Sequence, residues 1–341
     1  MRIVIVLLGM LFCTNALASD PVPMILFERA FEIRAEDYIR MEKGKLVFSR
    51  FAPSGNNMEI VVLDPFTGSE KVIVSGQKDA WFIAEDDRYI AYYDHFLNRA
   101  ASPLILVNKA SGKIVGRIKI SDGARVGLLK NNQLFAFHGI LSPLTQQKTS
   151  WVSVFEVPSL KYSRSFEIVG NGHFFFWQDG IVSLGSSDIV IYDAMFNEKL
   201  SARVPYTLVG NAYCGSSSLI NVNDRAIFIA QCGTIYSFSL VSGVLEEKIK
   251  FPCKFYDLVS DGGLLFVIPK VESDVNNSCS AAIIDLKRWE IIERFKTKVS
   301  ISAYANNGKL VIVSRLSWDK ALVSIYTHSI PKHSKKYEGG P

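Results

Sequence analysis

Seven times along this chain a tight turn rich in Asn, Asp or Gly is followed at once by an apolar strand. The turns are Lys43-Gly44 before Leu46-Val47-Phe48, Asp86-Asp87 before Tyr89-Ile90-Ala91, Asn131-Asn132 before Leu134-Phe135-Ala136, and Asp179-Gly180 before Ile181-Val182. Asn223-Asp224 before Ala226-Ile227-Phe228, Asp261-Gly262-Gly263 before Leu264-Leu265-Phe266, and Asn307-Gly308 before Leu310-Val311-Ile312 complete the series. Two-residue hairpin turns need positive φ, which these residue types tolerate. The step from one turn to the next is about 39 to 48 residues, the size of a four-stranded propeller blade. A second marker follows about twenty residues later in each unit, a strand and then a hairpin closed by Thr/Ser-Gly. Its clearest copies are Val61-Val62-Leu63-Asp64-Pro65-Phe66-Thr67-Gly68, Ile105-Leu106-Val107-Asn108-Lys109-Ala110-Ser111-Gly112 and Tyr236-Ser237-Phe238-Ser239-Leu240-Val241-Ser242-Gly243. Degenerate copies end at Glu156, Asp193 and Asp285, and Val323-Ser324-Ile325-Tyr326 opens a last one.

Counting from these anchors gives four strands per unit, A to D from the central channel outward. The seventh unit runs out of chain after its third strand, near Ser329, while Met24 to Ile33 lies before the first unit without a partner in it. Pairing the two leftovers closes the ring and removes an exposed sheet edge. The expected fold is all-β: a seven-bladed β-propeller of four-stranded antiparallel blades, closed by an N-terminal strand that completes the last blade. It forms one domain over 19–331, followed by a disordered tail, 332–341, that holds the basic run Lys332-His333-Ser334-Lys335-Lys336. The strand–Asp-x-x-Thr/Ser-Gly–strand units resemble those of the WD40-like, YVTN-type and quinoprotein-like propellers over Ile25 to Ile330. No unit ends its third strand in Trp-Asp, and the quinoprotein aspartate and tryptophan do not recur. The resemblance therefore implies a fold and a habit of binding, with no cofactor, and fold alone dictates no function.

The chain begins with Arg2, the apolar run Ile3 to Phe12, and Asn15-Ala16-Leu17-Ala18, with Ala at both small-residue positions of a cleavage site. This reads as a secretory signal peptide cut after Ala18, too short to span a bilayer core of roughly 20 residues. The expected product begins at Ser19, has no membrane span, and is secreted or periplasmic. Losing Arg2 lowers the formal net charge from +5 to +4 (5 − 1). That charge, spread over the whole chain, argues against nucleic acid, which needs a clustered basic face. Of five cysteines, Cys13 leaves with the signal; Cys214, Cys232, Cys253 and Cys279 remain, an even number suited to disulfides in an exported chain. Their places in the fifth and sixth blades predict the pairs Cys214–Cys232 and Cys253–Cys279.

In such a blade the D–A and B–C connections share one face, here called the loop face; the A–B and C–D turns share the other, the turn face. Several candidate ligand-binding residues map to the loop face. Asp79 and Trp81 sit at the start of an A strand, Asp94 and His95 at the end of a B strand, His138 at the end of the next B strand, and His173 at the start of the following A strand. Trp81 and the run His173-Phe174-Phe175-Phe176-Trp177 could stack on a sugar or peptide, although aromatics there also fill the wedges between blades. The longest connections, 96–102, 140–150 and 270–278, are B–C loops of the same face, where binding on a rigid scaffold concentrates. G-x-S-x-G, phosphate-loop, H-E-x-x-H and C-x-x-C-H motifs are all missing from the sequence. The expectation is a monomeric, non-catalytic binding scaffold for a protein or polysaccharide outside the cytoplasm, without catalytic or metal-ligating residues. The alternatives are a metal-assisted propeller hydrolase or lyase, and a subunit of an oxidoreductase that docks a redox partner.

Overall fold

A computed structural model describes residues 25–329, except 36–38, 43, 56, 78–79, 95–101, 121–125, 141–148, 170–172, 178–179, 185–187, 194, 204–207, 210–211, 214–215, 224–225, 232, 252–255, 270–279 and 299. The chain opens with β1 (Ile25–Arg34). The first blade then runs β2 (Arg40–Glu42), β3 (Lys45–Phe51), β4 (Met58–Leu63) and β5 (Glu70–Gln77) from the axis outward. The second is β6 (Trp81–Glu85), β7 (Tyr89–Tyr93), β8 (Ser102–Asn108) and β9 (Ile114–Ile120). The third is β10 (Val126–Lys130), β11 (Gln133–Ile140), β12 (Thr149–Glu156) and β13 (Lys161–Val169). The fourth is β14 (His173–Trp177), β15 (Gly180–Leu184), β16 (Asp188–Tyr192) and β17 (Glu198–Arg203). A small hairpin, β18 (Leu208–Val209) and β19 (Ala212–Tyr213), precedes the fifth blade, β20 (Ser216–Asn223), β21 (Ala226–Gln231), β22 (Thr234–Ser239) and β23 (Leu245–Lys250). The sixth is β24 (Tyr256–Asp261), β25 (Leu264–Pro269), β26 (Ala281–Asp285) and β27 (Glu290–Phe295). Last come β28 (Ser302–Asn306), β29 (Lys309–Ser317) and β30 (Lys320–His328).

The expectation of a seven-bladed propeller closed by an N-terminal strand is corrected in its count, to six blades each built from one stretch of chain, while the N-terminal strand does pair where it was expected to. Six blades are contiguous in the chain; the remaining four-stranded sheet, β1-β30-β29-β28, is a composite of both chain ends, and an eighth, two-stranded sheet, β18-β19, belongs to no blade. The reason is chain length. The last unit supplies three strands and borrows its outermost one, with Ile25 opposite His328, Phe27 opposite Tyr326 and Arg34 opposite Lys320. The connection after the fourth blade is long enough to hold a hairpin whose two strands flank Gly210-Asn211, a residue pair suited to tight turns. Neighbouring sheets touch all the way round: β3 meets β6, β6 meets β10, β13 meets β15, β14 meets β20, β20 meets β24, β24 meets β28, and β28 meets β2. The described residues include no helix long and apolar enough to cross a membrane.

The core lies between the blades, which explains the unbroken apolar runs of the B strands. Side chains alternate across a strand, so adjacent residues face opposite neighbours. Val47 packs with Phe82, Tyr92 and Ile105 of the second blade, and Phe48 packs with Val311, Val313 and Val323 of the closing sheet. Both are fully buried, and such burial stabilises by roughly 1.5–3 kcal/mol per large side chain.

The C–D turns repeat one local device. The side-chain oxygen of Asp64 accepts from the N–H groups of Phe66 and Thr67 at 2.9 and 3.1 Å. Asn108, Asp193, Ser239 and Asp285 do the same in their own turns, the local bonding that favours short polar side chains there. Gly68 closes its turn at φ +74°, which glycine adopts without penalty. The degenerate copies put Leu160, Phe196 and Trp289 at positive φ instead, a strain of roughly 1–2 kcal/mol. Each of these large side chains meets the outermost strand of the preceding blade. Leu160 abuts Gly116, Phe196 stacks on Phe166 at 3.7 Å, and Trp289 lies under Lys248 at 5.4 Å. Packing offsets the strain.

Candidate functional site

The loop-face candidates occupy strand ends in three successive blades. Trp81 opens β6 and pairs with Tyr93; Asp94 follows β7 directly and donates its N–H to Pro103 O at 3.2 Å. His138 lies near the end of β11, opposite Trp151 of β12, and His173 opens β14, opposite Leu184 of β15. Trp81, His138 and His173 are placed by their backbones. Asp79, His95, Cys214, Cys232, Cys253 and Cys279 lie outside the described residues, as do the basic tail and the loop 270–278. The loop read at 140–150 narrows to 141–148, because Ile140 and Thr149 still pair, and that at 96–102 ends at Ser102, which opens β8.

The result is an arc along the rim. Trp81 and Asp94 share the mouth of the second blade, and each histidine sits in a blade of its own. The scaffold under the arc is firm: Ser49 Oγ donates to Ala80 O at 2.6 Å, tying the first blade to the second beside Trp81. Beneath Asp94, Tyr92 is wholly buried and its hydroxyl finds no partner among the described residues. Burial pushes that phenol up to about 12, with the negative charge of Asp94 adding to the effect and Arg117 opposing it. A phenol in that state is a neutral hydrogen-bonding group at physiological pH. Among the described residues, no group of three His, Cys, Asp or Glu side chains is gathered in a way that could hold a metal ion.

Three features escaped the sequence reading. Trp318 stands 70% exposed at the tip of the β29–β30 hairpin on the loop face. That tip is held by Arg315, whose Nη1 donates to Ala35 O and Trp318 O at 2.8 and 3.2 Å, and by Ser317 Oγ donating to Asp319 Oδ1 at 2.7 Å. Trp318-Asp319 between two apolar strands was the available signal. On the turn face, His328 is buried with its Nε2 3.2 Å from Asp261 Oδ2, joining the closing sheet to the sixth blade. The contact is at ion-pair distance but too poorly aligned to count as a hydrogen bond; the well-formed bond at that carboxylate is Gly308 N–H to Asp261 Oδ2, 2.7 Å. Burial pushes the Asp261 carboxyl up, and His328 with the Gly308 N–H outweighs it, so the group titrates below its ordinary range. The third feature is Arg29 of β1, whose guanidinium donates to Pro65 O at 3.0 Å and to Phe66 O, fastening the closing strand to the first blade.

No protein-family model and no curated protein matches the chain. Solved structures do. The chain is similar to the β-propeller domain of Cps50 (Swd1) from Myceliophteria thermophila, with a TM-score of 0.57 and 10% identity over 88% of this chain and 99% of that one. It is similar to a chain of the mitotic checkpoint complex, TM-score 0.60, 8% identity, over 96% and 98%. An oligogalacturonate lyase in complex with manganese is similar too, TM-score 0.59, 14% identity, over 90% and 92%. WD40 β-propellers are thus among the neighbours, and the resemblance read from the turns holds for the fold. A fold shared by a lyase and by a subunit of a complex leaves function to the site.

Proposed function

We propose that this protein is an exported β-propeller that binds a protein partner, without catalysis, through the loop face. One observation carries the reading: Trp81 and Asp94 of the second blade, His138 of the third and His173 of the fourth all lie at or near the loop-face ends of paired strands. A propeller with this fold belongs to the mitotic checkpoint complex, which favours a protein over a polysaccharide as the partner. Residues 1–18 support export, and Cys214, Cys232, Cys253 and Cys279 support an oxidising compartment.

The test is affinity capture with the full chain, beside a variant with Trp81→Ala, His138→Ala and His173→Ala. Loss of one specific protein from the variant's capture is the expected result. Identical captures would overturn the loop-face assignment. Terminal sequencing of the protein recovered outside the cytoplasm should begin at Ser19, and unreduced peptide mapping should find the four cysteines linked. Metal-dependent turnover of a polysaccharide by the purified chain would favour the lyase reading instead.

A further inference from the structure

Cations on the outermost strands repeatedly reach the C–D turn of the next blade, and there they find an oxygen. Arg29 of β1 donates to Pro65 O at 3.0 Å and to Phe66 O, and Lys71 of β5 donates to Lys109 O at 2.9 Å. Lys248 of β23 lies over Trp289 and pairs with Glu246 of its own strand. Arg164 of β13 makes the same approach, its guanidinium 5.0 Å from the centre of the Phe196 ring. No hydrogen bond or ion pair joins that guanidinium to a described residue, and its Nε is buried without a partner. A charged donor drawn out of water and left unmatched is costly. Arg29, Lys71 and Lys248 avoid that cost, and Arg164 does not.

The surroundings fix the guanidinium and leave it open to a ligand. Phe196 stacks on Phe166 at 3.7 Å and lies 5.8 Å from Phe135, so the ring under Arg164 is held from two sides. The carboxylate of the same turn, Asp193, is spent. Its Oδ1 accepts the N–H groups of Met195 and Asn197 at 2.8 and 2.9 Å, and its Oδ2 accepts from Asn197 Nδ2 at 3.3 Å. Arg164 as a whole is only half-buried, and beside the ring Met195 is 69% exposed. A guanidinium laid on an aromatic ring presents a planar fork that matches a carboxylate with two parallel N–H bonds. A methionine beside it adapts to apolar side chains of varied shape. A small free carboxylate would use the fork and leave Met195 idle; a peptide with apolar residues next to its acidic ones uses both. We propose that Arg164 and Met195 form a docking point for an acidic segment of a partner protein, at the turn-face contact of the third and fourth blades and separate from the loop face.

The experiment titrates the full chain with a fluorescein-labelled peptide of alternating Glu and Leu, read by anisotropy. Saturable binding is expected, with none to the same peptide carrying Gln in place of Glu. Arg164→Met keeps an unbranched apolar stem on Phe196 and should weaken binding by about tenfold or more, with the unfolding temperature unchanged. Arg164→Lys keeps the charge and loses the fork, so its affinity should fall between the two. Met195→Ser should weaken binding roughly threefold. The chain with Trp81→Ala, His138→Ala and His173→Ala should bind the peptide as the unaltered chain does, which separates this result from the loop-face reading. Absence of binding, equal binding of the Gln peptide, or unchanged binding in Arg164→Met would overturn the proposal. Displacement by acetate at the peptide's own concentration would assign the site to a small carboxylate and overturn the docking role.

Discussion

At the turn face, Asp64, Asn108, Asp193, Ser239 and Asp285 each bend back to accept backbone N–H groups, and the A–B turns are uniformly short. At the loop face, the connections 52–57, 141–148 and 318–319 share neither length nor residue type. The turn face also joins neighbours by one recurring contact, the outermost strand of a sheet touching the C–D turn of the next. Arg29 meets Pro65, Lys71 meets Lys109, Gly116 meets Pro158, Phe166 meets Phe196, Leu200 meets Gly243, and Lys248 meets Trp289. At the break in the closing sheet, Glu293 accepts the N–H of Ile25 at 3.3 Å, where a turn would otherwise be. The contrast teaches a division of labour. Ring closure constrains one face at every blade and leaves the other free to vary.

Substitutions test that division. The largest effect is expected at Gly180→Ala on the turn face, where an added Cβ would sit 1.9 Å from Tyr192 O. The backbone must move, so denaturant unfolding should show a loss of about 3 kcal/mol, at the top of the overpacking range. Asp261→Asn comes next. It removes the carboxylate that accepts the Gly308 N–H and lies 3.2 Å from buried His328 Nε2, and should destabilise by roughly 1–3 kcal/mol. The pH dependence gives the sign. Because the folded-state pKa of Asp261 is lowered, its contribution is fully present above the unfolded-state value and is lost as pH falls through the folded value. Wild-type stability should therefore decline in acid through this group, and Asp261→Asn should flatten that limb of a melting-temperature profile.

Phe196→Gly sharpens the comparison from within one face. It restores the turn chemistry of the clearer repeats and relieves positive φ, yet it removes the ring stacked on Phe166. The net expectation is a loss of about 1–2 kcal/mol, and a gain in stability would show that the degenerate turns are mere drift. Smallest of all, replacing 141–148 by a two-residue turn should shift stability by no more than about 0.5 kcal/mol, while abolishing partner capture if that loop takes part.

The turn face was the legible one. Two-residue turns and Asp-x-x-Thr-Gly hairpins have stereochemical requirements that show in the residues themselves, so blade spacing and the pairing of Ile25–Arg34 with Lys320–His328 could be read from the chain. The positive-φ residues Leu160, Phe196 and Trp289 could not, because their choice depends on a neighbour that is distant in sequence. His328 and Asp261 were missed for the same reason: a strand histidine and a turn aspartate meet only once the ring has closed. The hairpin β18–β19 was hidden by its brevity. Of the candidate site, strand ends were legible and side-chain convergence was not, since residues of different blades approach only through the geometry of the whole ring.

The composite closing sheet has a consequence for the order of events in synthesis. Among the described strands Ile25–Arg34 is made first and Lys320–His328 last, so the N-terminal strand must wait for all the others before it finds its partner. Until then the apolar flanks of the first and sixth blades stay uncovered. The ring therefore cannot lock until Lys320–His328 has been made, which leaves closure as the last step of folding.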